Sequence, residues 1–290
     1  MYRIILYLSL ILLLAPSFHL SAHPGIGIVM DSQGNVFYTD LTHVWKIDLE
    51  GEITIAVENV HTHELFIDQE DKLYGEHIWY EGEATDKWGY YTWCLSSDGS
   101  LEKVIEDTEG FPTDSRLRRD QAGASYWPAK KGDQEFLNRT ETSGQIVRHS
   151  SHAFDDIRWI HVPDKSDRVY VVDHLQLKRV GINGEVSIIA ANLKDGKPLF
   201  SFVRDRHYVM GVWTDLQDNI YVSLFGGKKI KKFGPDGTAE TIYRSKGNWS
   251  PSGGLVASNG DLWVLEFSTR NEARVTRLAP DGSEVHFRKE

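Results

Sequence analysis

GIVMDSQGNVFYTDLTHVWKID, residues 27–48, is the stretch on which the reading of this chain turns. A short apolar run meets an Asp-x-x-Gly-Asn turn. A second run, Val36 to Tyr38, leads through another turn to a third, Val44 to Ile47. Apolar runs of this length, punctuated by Asp, Gly and Asn, predict short strands in a meander, because those residues favour tight turns.

The pattern returns as ELFIDQEDKLYGEH at Glu64–His77 and WIHVPDKSDRVYVVDH at Trp159–His174. It returns again as GVWTDLQDNIYVSL at Gly211–Leu224 and GLVASNGDLWVLE at Gly254–Glu266. Matched positions of the second strand are Val36, Leu73, Val169, Ile220 and Leu262, with steps of 37, 96, 51 and 42 residues. The 96-residue step holds two units, and Ala122–Arg148 is the degenerate one, with SYWPAK, QEFLNR and QIVRH as strands. One four-stranded unit leaves a sheet face exposed, whereas a ring of units buries both faces. The expectation is an all-β, single-domain, six-bladed β-propeller over residues 23–290.

The run Gly27-Ile-x-x-Asp31-x-x-Gly34-Asn35-Val36-Phe37-x-x-Asp40, followed by Val44-x-Lys46-Ile47-Asp48, resembles the NHL-repeat propellers. It is also similar to the gluconolactonase-type propellers. The resemblance implies the fold over nearly all of residues 24–290. In gluconolactonase-type enzymes the column before the first-strand glycine carries acidic or Asn ligands for a divalent metal. Here that column reads Ile26, His63, Arg158, Met210 and Gly253, so only His63 or its neighbour Glu64 matches. The peptidylglycine amidating lyase propeller carries three His zinc ligands in similar columns, of which this chain matches one, at His63.

Composition narrows the function classes. The chain has 290 residues, a net charge of −10, nine Trp and one Cys. The acidic balance argues against nucleic acid and anionic membrane partners. Cys94 has no cysteine with which to form an intrachain disulfide, and its neighbours Tyr91, Thr92 and Trp93 suggest a buried, inert thiol. Residues 1–22 read as a signal peptide, with Arg3 before an apolar run at Ile4–Ala15 and small residues at Ser21-Ala22. The expectation is export to a periplasm or beyond the cell, a mature start at His23, no membrane span and a monomer. No Gly-x-Ser-x-Gly elbow, His-Glu-x-x-His helix or phosphate loop is present.

In a propeller, first-strand starts and second-strand ends open on one face. The first set holds His61, His63, Glu64, Asp155, Asp156, Arg158 and His207; the second holds Asp40, Glu76, His77, Asp173, His174 and Glu266. Imidazole with carboxylate suits Zn, Mn or Fe, and carboxylate with carbonyl suits Ca. The expected metal set is His63, His77, Asp173 and His207. Catalytic roles fall to His77 and Glu64, with Arg158 holding an anionic substrate group. Trp79, Tyr80, Trp88 and Tyr90 would cover the site or stack on a sugar. His161 reads as a packed core residue and the Asp31, Asp68 and Asp215 series as turn chemistry. Two functions follow: a metal-assisted hydrolase or lyase acting on a sugar derivative or lactone, and a non-catalytic propeller that binds a glycan or protein.

Overall fold

The protein is described by a computed structural model, which covers residues 24–110, 117–120, 122–163, 168–194 and 207–289. The expected signal peptide and residues 164–167 lie outside the described residues.

Each blade is one contiguous stretch folded as an antiparallel meander. Blade 1 holds β1 (Ile28–Met30), β2 (Val36–Thr39), β3 (Val44–Ile47) and β4 (Ile53–Val57). Blade 2 holds β5 (Leu65–Ile67), β6 (Leu73–Tyr80), β7 (Trp88–Leu95) and β8 (Leu101–Glu109). Blade 3 holds β9 (Ser125–Lys131), β10 (Gln134–Thr140) and β11 (Ile146–Arg148). Blade 4 holds β12 (Ile157–His161), β13 (Val169–Asp173), β14 (Gln176–Val180) and β15 (Val186–Ala190). Blade 5 holds β16 (Val212–Thr214), β17 (Ile220–Leu224), β18 (Lys229–Phe233) and β19 (Ala239–Arg244). Blade 6 holds β20 (Trp249–Val256), β21 (Leu262–Ser268), β22 (Ala273–Leu278) and β23 (Glu284–Phe287). Six blades were expected and six are present. No helix among the described residues is long and apolar enough to cross a membrane.

The turn aspartates explain the repeat. The Asp31 carboxylate accepts the N–H groups of Gln33 and Asn35, and Asp215 accepts those of Gln217 and Asn219. A side chain that satisfies turn N–H groups replaces ladder bonds where the chain reverses. Blade 3 uses the same device one strand earlier than expected. Asp120 accepts from the Ala124 N–H and the Tyr126 hydroxyl, as Asp215 does from Asn219 and Tyr221. SYWPAK, QEFLNR and QIVRH are therefore second, third and fourth strands. Among the described residues the first is reduced to a single bridge, Arg119 to Ser125.

Apolar clusters fill the joints between blades. Val44, Val57 and Trp93 join blades 1 and 2, and Leu137, Ile160 and Val171 join blades 3 and 4. Val172, Val209 and Val222 join blades 4 and 5; Trp213, Ile230 and Val264 join 5 and 6; Val36, Leu265 and Phe267 close 6 onto 1. The joint between blades 2 and 3 differs. Arg118 grips Glu64 through Nε to Oε2 at 3.0 Å and through a second bond to Oε1, while Arg119 lies over Phe66 and Tyr74. Hydroxyl groups stitch the inner ring: Thr39 Oγ1 donates to the Thr62 carbonyl and Ser223 Oγ to the Pro251 carbonyl. At Gly253 an added Cβ would lie 2.1 Å from the Ile26 carbonyl, so glycine lets blade 6 meet blade 1.

Candidate functional site

Trp79, Tyr80, Trp88 and Tyr90 belong to an elongated hairpin of blade 2. β6 and β7 stay paired as far as Tyr80 and Trp88, whose rings stack at 4.3 Å. Trp79 lies over Gly89, where a Cβ would sit 1.9 Å from its ring. At the base of this hairpin His77 stacks on Tyr91 with ring centroids 4.8 Å apart. Lys103 sits 4.1 Å from the Tyr91 centroid and pairs with Asp107.

Three histidines meet beside that base. The His61 and His63 rings meet edge to face at 4.7 Å. The His61 backbone N–H donates to His77 Nδ1 at 2.9 Å, and the His61 carbonyl accepts from the Ile78 N–H. His61 Nδ1 donates to the Leu41 carbonyl at 3.0 Å. These bonds select opposite tautomers. A neutral His77 whose Nδ1 accepts must carry its proton on Nε2. A neutral His61 whose Nδ1 donates must hold its lone pair on Nε2. One ring therefore offers a donor and the other an acceptor. Burial first, and then the nearby His61, push the His77 imidazole below its ordinary range, so it stays neutral at pH 7.

His61 also lines a cavity of about 480 Å³ at the groove between blades 1 and 6. Tyr38, Leu41 and Trp45 form its apolar wall, and Arg288 and Lys289, just beyond β23, lie at the other side. Leu41 is buried yet has φ of 74°, a left-handed conformation disfavoured for a branched side chain. The Thr39 hydroxyl accepts its N–H and holds it there, which aims the Leu41 carbonyl at His61. Asp40 is fully engaged by the N–H groups of Thr42 and His43, the Thr42 hydroxyl and Trp45 Nε1. Burial raises its carboxyl, but these bonds outweigh burial and hold it below the usual carboxylate range.

The expected metal set is not gathered. Among the described residues no group of three or more His, Cys, Asp and Glu is arranged to hold an ion. The reason lies in what each side chain does instead. Asp173, 1% exposed, accepts the N–H groups of Asp155 and Asp156 and pairs with Lys178 at 2.6 Å. His77 occupies the matching place in blade 2 and caps the His61 N–H, so its lone pair is spent and its outward nitrogen bears a proton. Glu64 is the partner of Arg118. His207 stands at the entry to blade 5, next to buried Tyr208. These residues do not fit a divalent ion. Arg158 is not an open anion clamp either: Nε donates to Asp156 Oδ2 and a terminal nitrogen to His174 Nδ1, both at 2.9 Å.

That His63 and His77 belong to the same blade is legible in the sequence. His61 also stands at a strand start, and the His-Thr-His-Glu run is its signal, but nothing in the sequence alone gives it a role. Trp45, Arg288 and Lys289 carry no such signal.

No family model matches the chain, and no curated protein matches it. Solved structures share its architecture. A streptogramin B lyase is 14% identical with a TM-score of 0.51, over 94% of this chain and 86% of that one. A gluconolactonase from Xanthomonas campestris is 13% identical with a TM-score of 0.57, over 84% and 83%. A calcium-binding regucalcin from Agrobacterium tumefaciens is 13% identical with a TM-score of 0.52, over 83% and 81%. At such identities the likeness establishes the six-bladed fold and leaves the activity to the residues.

Proposed function

We propose that this chain is an exported hydrolase or lyase for a small polar substrate such as a sugar derivative or lactone, working by histidine acid–base chemistry at the entry to blade 2. The observation that carries the reading is the opposite tautomers of neutral His61 and His77, the first fixed by the Leu41 carbonyl and the second by the His61 N–H. In hydrolysis, His61 Nε2 takes a proton from water as the water oxygen bonds to the substrate carbonyl. The neutral His77 ring keeps its proton and donates a hydrogen bond from Nε2–H to that carbonyl's oxygen, while the His61 imidazolium hands the proton it took to the departing oxygen. In elimination His61 takes a proton from carbon and, as the imidazolium, gives it to the leaving group. General acid–base catalysis of this kind contributes about 10²–10⁴-fold.

The test is turnover on a panel of lactones and uronate oligosaccharides with purified protein. His61→Gln is expected to lower kcat by about 10²-fold or more while thermal stability changes little. Turnover unchanged in that variant refutes the reading. A metal-assisted form of the same chemistry would have His63 as a ligand. Stoichiometric metal in wild type that disappears in His63→Ala would restore that form.

A further inference from the structure

The cavity beside His61 has a polarity of its own. One wall is the Trp45 indole with Tyr38 and Leu41; the other side brings Arg288 and Lys289 from the end of blade 6. The indole is locked, because Trp45 Nε1 donates to Asp40 Oδ2 at 2.7 Å. Both carboxylates in the lining are engaged, Asp40 by four local donors and Glu272 by Arg288 at 2.9 Å and by the Ser268 hydroxyl. Lys289 has no carboxylate within ion-pair distance among the described residues; its ammonium instead lies 6.0 Å from the centroid of the Trp45 ring. An ammonium poised above the ring that forms the apolar wall, with the two described lining carboxylates already matched, suits an anion carried on a flat body.

We propose that the cavity between blades 1 and 6 binds a small carboxylate-bearing ring, a sugar acid, with its carboxylate toward Lys289 and Arg288 and its C–H face on Trp45. This rests on the reading above and narrows it: the substrate is anionic, and His61 meets its reacting end. The volume, about 480 Å³, lies within the range of small-molecule sites and accommodates one or two sugar rings. Lys289 is the recognition group because Arg288 already shares its charge with Glu272. Attraction between an exposed ammonium and a carboxylate weakens as salt rises.

The experiment is titration calorimetry of the full chain with D-glucuronate and, separately, with D-glucose. Glucuronate is expected to bind at least about tenfold more tightly than glucose. Lys289→Gln, at a solvent-facing position, is expected to abolish that preference without shifting the melting temperature, and added sodium chloride is expected to erode it. Equal binding of the two sugars, no binding of either, or a preference that survives in Lys289→Gln overturns the proposal. His61→Gln separates the two readings. If that variant keeps glucuronate binding and wild type shows no turnover, the acid–base reading fails and anion recognition stands. If wild type turns over a neutral lactone in a His61-dependent way and ignores glucuronate, the reverse holds.

Discussion

At the scale of single residues, carboxylates that look like chemistry in the sequence act here as caps and clamps. Glu64 is the sharpest case. Its two oxygens meet the Arg118 fork, with the side chains 19% and 18% exposed. Removing one partner of such a pair strands the other charge, which is worse than replacing both with apolar groups. Glu64→Ala is expected to lower unfolding free energy by about 3 kcal/mol, the lower end for buried pairs because this one is partly wet. Glu64→Leu with Arg118→Leu is expected to recover most of that loss. Chemical denaturation of the three proteins checks it, and equal losses in single and double variants would show that the pair is not the cause. His77 obeys the same logic at a smaller scale, since its imidazole caps the His61 N–H and keeps only its Nε2–H as a hydrogen-bond donor.

At the scale of elements, the turn aspartates decide where a strand begins. Asp120 does for blade 3 what Asp31, Asp68 and Asp215 do elsewhere, and it takes Arg139 as a further partner at 3.1 Å. Asp120→Ala is expected to cost about 2–3 kcal/mol, because the Ala124 N–H, the Tyr126 hydroxyl and Arg139 all lose an acceptor. Hydrogen exchange should show the loss concentrated in β9 and β10, while blades 4 to 6 keep their protection. Uniform loss over all blades would mean that blade 3 does not open as a unit. Among the described residues blade 3 joins blade 2 through an ion pair and cation–π contacts, where the other joints have apolar clusters. The projecting β6–β7 hairpin is a contrasting element: its tip is exposed, and its Tyr80–Trp88 stack holds the two strands in register.

For the whole molecule, acid is the expected weakness. Burial pushes His161 down to about 4, and it also lowers His77, His149 and His152. An unfolded histidine takes up its proton near pH 6.5. Below that pH the unfolded chain binds protons that the folded chain refuses, so stability falls as pH drops from about 6.5 toward 4 and is unaffected by these groups above that window. His161 alone accounts for about 3 kcal/mol across it, since each tenfold loss of proton affinity is worth about 1.4 kcal/mol. Asp40 and Asp215, held below their ordinary range, add losses of the same sign at still lower pH. Melting temperatures from pH 7 to pH 4 should fall steadily, and His161→Gln should flatten the profile. A flat wild-type profile would contradict this account.

By itself the sequence determined the propeller and its six units. Those follow from local information: the two-residue alternation of strands, and turns whose Asp, Gly and Asn act within about five residues of one another. It also brought His63 and His77 to one blade, because the start of one strand and the end of the next are neighbours in any meander. Which polar groups remain available for chemistry was decided only by the tertiary structure. Arg118, Lys178 and the backbone N–H groups of the blade entries neutralise Glu64, Asp173 and one nitrogen of His77, and each of these partners is set by ring closure or by strand register. The cavity itself exists because closure places the end of blade 6 beside Trp45 and His61, residues from the opposite end of the chain. No pattern in either stretch encodes that meeting, because it is a property of the closed ring.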